Sequence, residues 1–201
     1  MKRIVVATTN RGKLREIEEI LAPLGLSVTS LAAYPGFPEI EEDGATFEEN
    51  AIKKAQFTAA FTGETALADD SGLEVDYLGG APGVRSARFA GEPKNDAANN
   101  AKLLRLLAGV PWEKRTARFR CVIAVATPDG AVATAEGTCE GFILTEPRGT
   151  GGFGYDPLFY FPEYGKTFAE LPPEVKNQVS HRGRALAKLK EVLASLLAGE
   201  K

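Results

Sequence analysis

Cysteine, histidine, tryptophan and methionine are all scarce in this chain of 201 residues, with two, one, one and one copies respectively. Two cysteines, Cys121 and Cys139, make neither a disulfide framework nor a four-ligand zinc site. Cys121 lies in an alternating run and reads as a small buried apolar residue. Long hydrophobic runs are missing too: nothing approaches the roughly 20 apolar residues of a membrane-spanning helix. After Met1-Lys2-Arg3 only Ile4-Val5-Val6-Ala7 is apolar, too short for a signal-peptide core. The expectation is a soluble cytoplasmic protein with no membrane partner. Positive charge is not in excess, with 24 Lys and Arg against 27 Asp and Glu. This argues against binding of a nucleic-acid polymer, which favours a basic surplus. A small anionic ligand needs only a local cluster of Lys and Arg. Repeats, charge blocks and low-complexity linkers are also lacking. What remains is 44% apolar and 25% charged residues, the composition of a globular domain, so residues 1–201 are expected to form a single domain.

The pattern along the chain alternates strand and helix signals. Arg3 to Ala7 is a β-branched run, Thr8 to Gly12 is polar, and Leu14, Ile17, Ile20, Leu21 and Leu24 then recur at helical spacing. Thr46-Phe47-Glu48-Glu49 matches a capping box and opens a helix reaching about Phe61. Thr65 to Ala68 reads as a strand ending at Asp69-Asp70, and Leu73 to Leu78 as a second one before a Gly-Gly-Ala-Pro-Gly loop. Asn95-Asp96 caps a helix carrying Leu103, Leu104, Leu106 and Leu107. Ala117 to Val125 alternates as a long strand, Pro128-Asp129-Gly130 is a turn, and Ala131 to Leu144 returns as its hairpin partner. A last helix starts near Ser180, with Leu186, Leu189, Leu193 and Leu196 as its seam. Interleaved helices and an antiparallel hairpin predict an α/β fold with a mixed sheet, in two lobes with a cleft between them.

Four segments carry candidate chemistry. Thr8-Thr9-Asn10-Arg11-Gly12-Lys13 lies between a strand and a helix start, where backbone N–H groups and the helix dipole favour phosphate. It is not a P-loop: the first Gly is absent, and Leu14 stands where Ser or Thr would serve magnesium. Gly149-Thr150-Gly151-Gly152-Phe153-Gly154 has the letters of a dinucleotide fingerprint. It leads into the aromatic, strand-like Tyr155 to Phe161 rather than a helix, which excludes that reading. Its glycines and interleaved aromatics suit a platform for a flat ring. Asp69-Asp70-Ser71-Gly72 presents adjacent carboxylates to opposite faces of a strand, so the two have different tasks. Glu39, Glu41, Glu42 and Asp43 crowd a loop upstream, and magnesium needs only one or two carboxylates plus substrate phosphates. His181 is followed by Arg182, a donor pair at a helix start, with Lys176 just upstream.

Taken together and in order, these segments resemble the Ham1/RdgB family of inosine triphosphatases. The resemblance rests on Thr8 to Lys13, Glu41-Glu42-Asp43-Gly44 with Thr46 to Ala51, and Ala68 to Leu73. Leu78 to Gly83, Ser86-Ala87-Arg88, Gly149 to Pro157 and Ser180-His181-Arg182 complete it. It implies an ITPase-like fold, a homodimer, and Mg2+-dependent hydrolysis of inosine, deoxyinosine and xanthosine triphosphates to the monophosphate and pyrophosphate. By that resemblance, Thr8, Thr9, Asn10, Arg11, Gly12 and Lys13 bind the triphosphate, with Lys54 nearby. Glu42 and Asp70 serve the metal, Asp70 also accepts the proton of the attacking water, and Ser71 contacts substrate. Phe153, Gly154, Tyr155 and Asp156 form the base pocket, and Lys176, His181 and Arg182 read the base edge. Thr9 stands where many members have Gly, and its Cβ restricts the backbone approach to phosphate. Two other readings are a Maf-like pyrophosphatase with different base preference and a nucleotide-binding regulator without catalysis.

Overall fold

In the computed structural model, which describes residues 3–198, the expected α/β pattern is present. The strands are β1 (Arg3–Val6), β2 (Ser27–Ser30), β3 (Ala66–Val75), β4 (Thr116–Ala126), β5 (Val132–Ile143), β6 (Phe159–Phe161) and β7 (Lys166–Thr167). The helices are α1 (Arg11–Leu21), α2 (Phe47–Thr62), α3 (Asp96–Leu106), α4 (Pro173–Val179) and α5 (His181–Ala198). The strands form one sheet in the order β2-β1-β3-β4-β5-β6-β7. It is mixed: β1 runs parallel to β2 and β3, while β6 is antiparallel to β5 and β7. The turn 127–131 joins β4 to its neighbour β5, closed by the Thr127 N–H on the Ala131 carbonyl at 2.9 Å. A connection this short makes the pair an antiparallel hairpin.

One sequence expectation is corrected, and one element is added. The strands read as Thr65–Ala68 and Leu73–Leu78 are one strand, β3, which continues through Asp69-Asp70-Ser71-Gly72. Gly72 suggests a break, but the strand runs on through it to Val75. The last helix, α5, starts at His181, next to Ser180 as expected, and Ser180 also ends an unforeseen short helix, α4. Pro172-Pro173 supplies the start of α4, Pro being tolerated where the N–H has no helical partner.

The chain forms two compact units. The first comprises Met1–Asp70, Cys121–Gly137 and Arg182–Lys201; the second comprises Ser71–Arg120 and Thr138–His181. In the first unit the sheet is buried on both faces, and alternation sorts its residues. Leu67, Cys121, Ile123 and Val125 pack with Ile17 and Leu21 of α1 and Leu186 and Leu189 of α5. Ala66, Ala68, Val122, Ala124 and Ala126 pack with Ala51, Ala55 and Ala59 of α2. Small residues on both sides of that second layer let helix and sheet backbones approach closely. The second unit is built on an aromatic core in which Phe119, Phe159 and Phe168 meet at ring-centroid distances of 4.5–5.5 Å.

Candidate active site

The helix start after β1 is built as the sequence predicts. Asn10 caps α1, its Oδ1 accepting the Lys13 N–H at 3.0 Å, while Thr8 Oγ1 accepts the Asn10 N–H at 3.1 Å. Arg11, Gly12 and Lys13 form the first turn of α1, and Thr9 and Arg11 are exposed. The positive end of the helix dipole and a lysine are thus held at one place.

β3 divides the adjacent carboxylates between the two faces of the sheet. Asp69 shares its face with Leu67 and meets α1 and α5. Its side chain is fully buried, with Lys13 Nζ at 2.7 Å on Oδ1 and Arg182 Nε at 3.1 Å on Oδ2. Cys121 Sγ donates to the same Oδ2 at 2.8 Å. Burial alone would raise the Asp69 pKa, but Arg182 and Lys13 hold it well below the ordinary carboxylate value. Arg182 Nη1 in turn meets Glu16 Oε2, so Lys13, Asp69, Arg182 and Glu16 form one chain of alternating charge. Cys121 is therefore buried as expected but is not merely apolar. Burial and the Asp69 charge push its thiol pKa far up, which keeps it unreactive.

Asp70 faces the other way, toward α2, with Ala66 and Ala68 as its neighbours on that face. Lys54 of α2 places its ammonium 2.6 Å from the Asp69 carbonyl oxygen, 2.7 Å from Glu42 Oε1 and 3.7 Å from Asp70 Oδ1. Burial opposes the Lys54 charge, yet the Asp70 and Glu42 carboxylates raise its pKa above the usual lysine value. Asp70 is 6% exposed, and its Oδ2 is buried without a hydrogen-bond partner among the described residues. Burial, with Glu42 and Asp69 adding to it against Lys54 and Lys13, pushes its pKa up to about 6. The strand geometry thus separates the roles: Asp69 is locked in ion pairs, and Asp70 keeps an unused oxygen.

The acidic loop is held in place by α2. Asn50 Oδ1, buried, accepts the Gly44 N–H at 2.7 Å, and a Cβ at Gly44 would lie 2.6 Å from that oxygen. Lys53 Nζ reaches the Glu41 carbonyl and Asp43 Oδ1, both at 2.7 Å. Of the two candidate glutamates, it is Glu42 that reaches Lys54. Among the described residues no three His, Cys, Asp or Glu side chains form a metal cage. Two carboxylates with an idle buried oxygen fit a hard cation that takes its other ligands from phosphates and water.

The aromatic platform lies in the second unit. Phe153 is half-buried, with Lys176 Nζ 4.8 Å from its ring centre. That ammonium is bonded to Asp156 Oδ2 at 2.6 Å, and the same oxygen accepts the Phe153 N–H at 3.1 Å. Gly152, at φ +69°, is required here, since a Cβ would fall 2.1 Å from Asp156 Oδ2. Tyr155 points inward, its hydroxyl donating to the Ser86 carbonyl at 2.6 Å, and burial raises its pKa. His181 is 5% exposed and stacks on Phe119 at 4.7 Å. Ser71 is half-buried on β3. Arg182, expected to read a base edge beside His181, is 1% exposed, and its guanidinium meets Asp69 and Glu16. Glu16, Asn50 and Asn100 were not singled out from the sequence, and Asp96 only as part of a helix cap. Glu16 lies one helical turn after Lys13 and is legible once Lys13 is placed. Asp96 and Asn100, both bonded to Gly154, carry no signal until the loop is folded.

Comparison with known proteins places the chain among characterised relatives. The Ham1 family profile matches residues 4–192. A dITP/XTP pyrophosphatase of Desulforamulus reducens is 66% identical over 96% of both chains. One from Geobacillus kaustophilus is 56% identical over 100% of this chain and 98% of its own. A solved Ham1 protein structure from Coxiella burnetii superposes with a TM-score of 0.87 at 46% identity, over 97% of this chain and 100% of that one.

Proposed function

Since the chain belongs to the Ham1 family, we propose that it is a nucleoside triphosphate pyrophosphatase that hydrolyses ITP, dITP and XTP to the monophosphate and pyrophosphate. The observation that carries this reading is Asp70: a buried carboxylate raised to about 6, with an unpartnered oxygen and a lysine beside it. A binding protein without catalysis has no use for such a group, whereas a base that takes a proton near neutral pH is what hydrolysis needs.

The phosphates are taken by the Thr8–Lys13 segment and Lys54. Glu42 and Asp70 hold Mg2+, which supplies charge neutralisation and a lowered water pKa when bound. Asp70 accepts the proton of the water attacking the α-phosphorus. Lys54 and Lys13 neutralise the charge that develops on departing pyrophosphate, an interaction that grows as the bond breaks. Lys13 has to be drawn partly from Asp69 to do so, and Arg182 keeps Asp69 paired meanwhile. Phe153 stacks the purine, and Lys176 and His181 serve its keto oxygen. Adenine, with an amino group there, leaves such donors unpaired. Homodimerisation and a cytoplasmic location belong to the same proposal.

The test is a panel of initial rates on ITP, dITP, XTP, GTP and ATP. ITP and XTP are expected to exceed ATP by up to about 10⁴-fold in kcat/KM, the discrimination open to a site that hydrogen-bonds its substrate. Equal rates on all of them would overturn the base-reading part of the proposal.

A further inference from the structure

Gly154 is gripped on both sides of its residue by one helix. Asp96 Oδ2 accepts its N–H at 3.0 Å, and Asn100 Nδ2 donates to its carbonyl at 3.1 Å. The two side chains lie four residues apart on α3, hence on the same face. Asp96 occupies the first turn of α3, behind the Asn95 cap, where the helix dipole favours its charge. Gly154 itself is in the left-handed region at φ +62°, a conformation with no side chain to fix it. Its neighbours on either side are Phe153, under the Lys176 ammonium, and Tyr155, anchored on Ser86.

The peptide groups flanking Gly154 therefore set the height and tilt of the Phe153 ring. Without external bonds a left-handed glycine is the softest point of such a loop. The Asn100 grip carries a cost: its Oδ1 is buried without a hydrogen-bond partner among the described residues. An amide with one end satisfied and the other end idle is not the arrangement that packing alone selects.

We infer that Asp96 and Asn100 are positioning residues that fix the Gly154 backbone and thereby set recognition of the purine. The inference rests on the reading that Phe153 to Asp156 take the base. Neither residue touches the reacting phosphorus. Their loss acts on binding of the base and spares binding of a phosphate chain alone.

The experiment measures kcat and KM for ITP and ATP, with the inhibition constant of inorganic tripolyphosphate as a probe that has no base. In Asn100→Ala and Asp96→Ala, KM for ITP rises about tenfold per lost hydrogen bond, far more than kcat falls. The ITP preference over ATP shrinks by a similar factor, and tripolyphosphate inhibits as in the wild type. Asp96→Asn restores an acceptor for the Gly154 N–H and returns KM toward the wild-type value. Unchanged KM and preference, or equal weakening of ITP and tripolyphosphate, would overturn the inference. Should Asn100→Ala fail to fold, the Asp96 pair carries the test alone, because that side chain is 41% exposed and tolerates truncation. A wild-type protein inert toward ITP would instead remove the functional reading itself.

Discussion

Replacing Asp70 by Asn removes a buried charge that folding has to tolerate. The carboxyl ionises at 3.8 in an unconstrained chain and at about 6 in the folded protein. The folded state thus holds its proton where the unfolded state has lost it, and stability falls as pH rises through that window. At about 1.4 kcal/mol per pH unit, the penalty is about 1 kcal/mol at pH 4.5 and levels off at about 3 kcal/mol above pH 6. Asp70→Asn escapes it. In metal-free buffer the variant is expected to melt above the wild type at pH 8, by roughly 6–12 °C at the 2–4 °C per kcal/mol usual for this size. The gap narrows to about a third of that at pH 4.5. Turnover of ITP falls by roughly 10²–10⁴ in the same variant, the range for loss of a general base. Thermal melts of both proteins at the two pH values, with kcat from product release, check both halves. A variant less stable at pH 8, or one as active as the wild type, would refute the assignment of Asp70 as a buried base.

In Lys54→Met the attraction that holds down the Asp70 pKa is lost, so the acid limb of the kcat–pH profile moves above its wild-type midpoint as kcat drops; a profile that stays in place would separate Lys54 from Asp70. Arg182→Ala leaves the buried Asp69 with a weakened partner set and is expected to cost about 3–5 kcal/mol in denaturant titration. Breaking the Arg182–Glu16 pair in Glu16→Gln costs less, since Arg182 keeps its Asp69 bond.

The sequence revealed local structure wherever one segment contained its own cause. Thr46 and Glu49 announced α2, because a cap and its helix are adjacent in the chain. The assignment of Asp69 and Asp70 to separate faces followed from strand alternation alone, and the structure places Lys13 on one and Lys54 near the other. Residues whose partners are distant in sequence were read less well. Arg182 reads as a donor beside His181 at a helix start, and only folding shows that it meets Asp69, a residue 113 positions away. Asp96 and Asn100 meet Gly154 across 58 and 54 positions. Nothing in their own segment distinguishes them from other polar residues of a helix start. The continuity of β3 was hidden by Gly72, a residue that weakens strands without always ending them.

In the proposed reaction Glu42 and Asp70 hold a divalent ion while Asp70 takes a proton from the water that attacks the α-phosphorus. Its most direct test is to incubate the protein with ITP, with and without Mg2+, and to quantify pyrophosphate and orthophosphate separately. One pyrophosphate per inosine monophosphate formed is expected, and only when Mg2+ is present. Orthophosphate as the first product, or pyrophosphate at an undiminished rate in chelator, would contradict it.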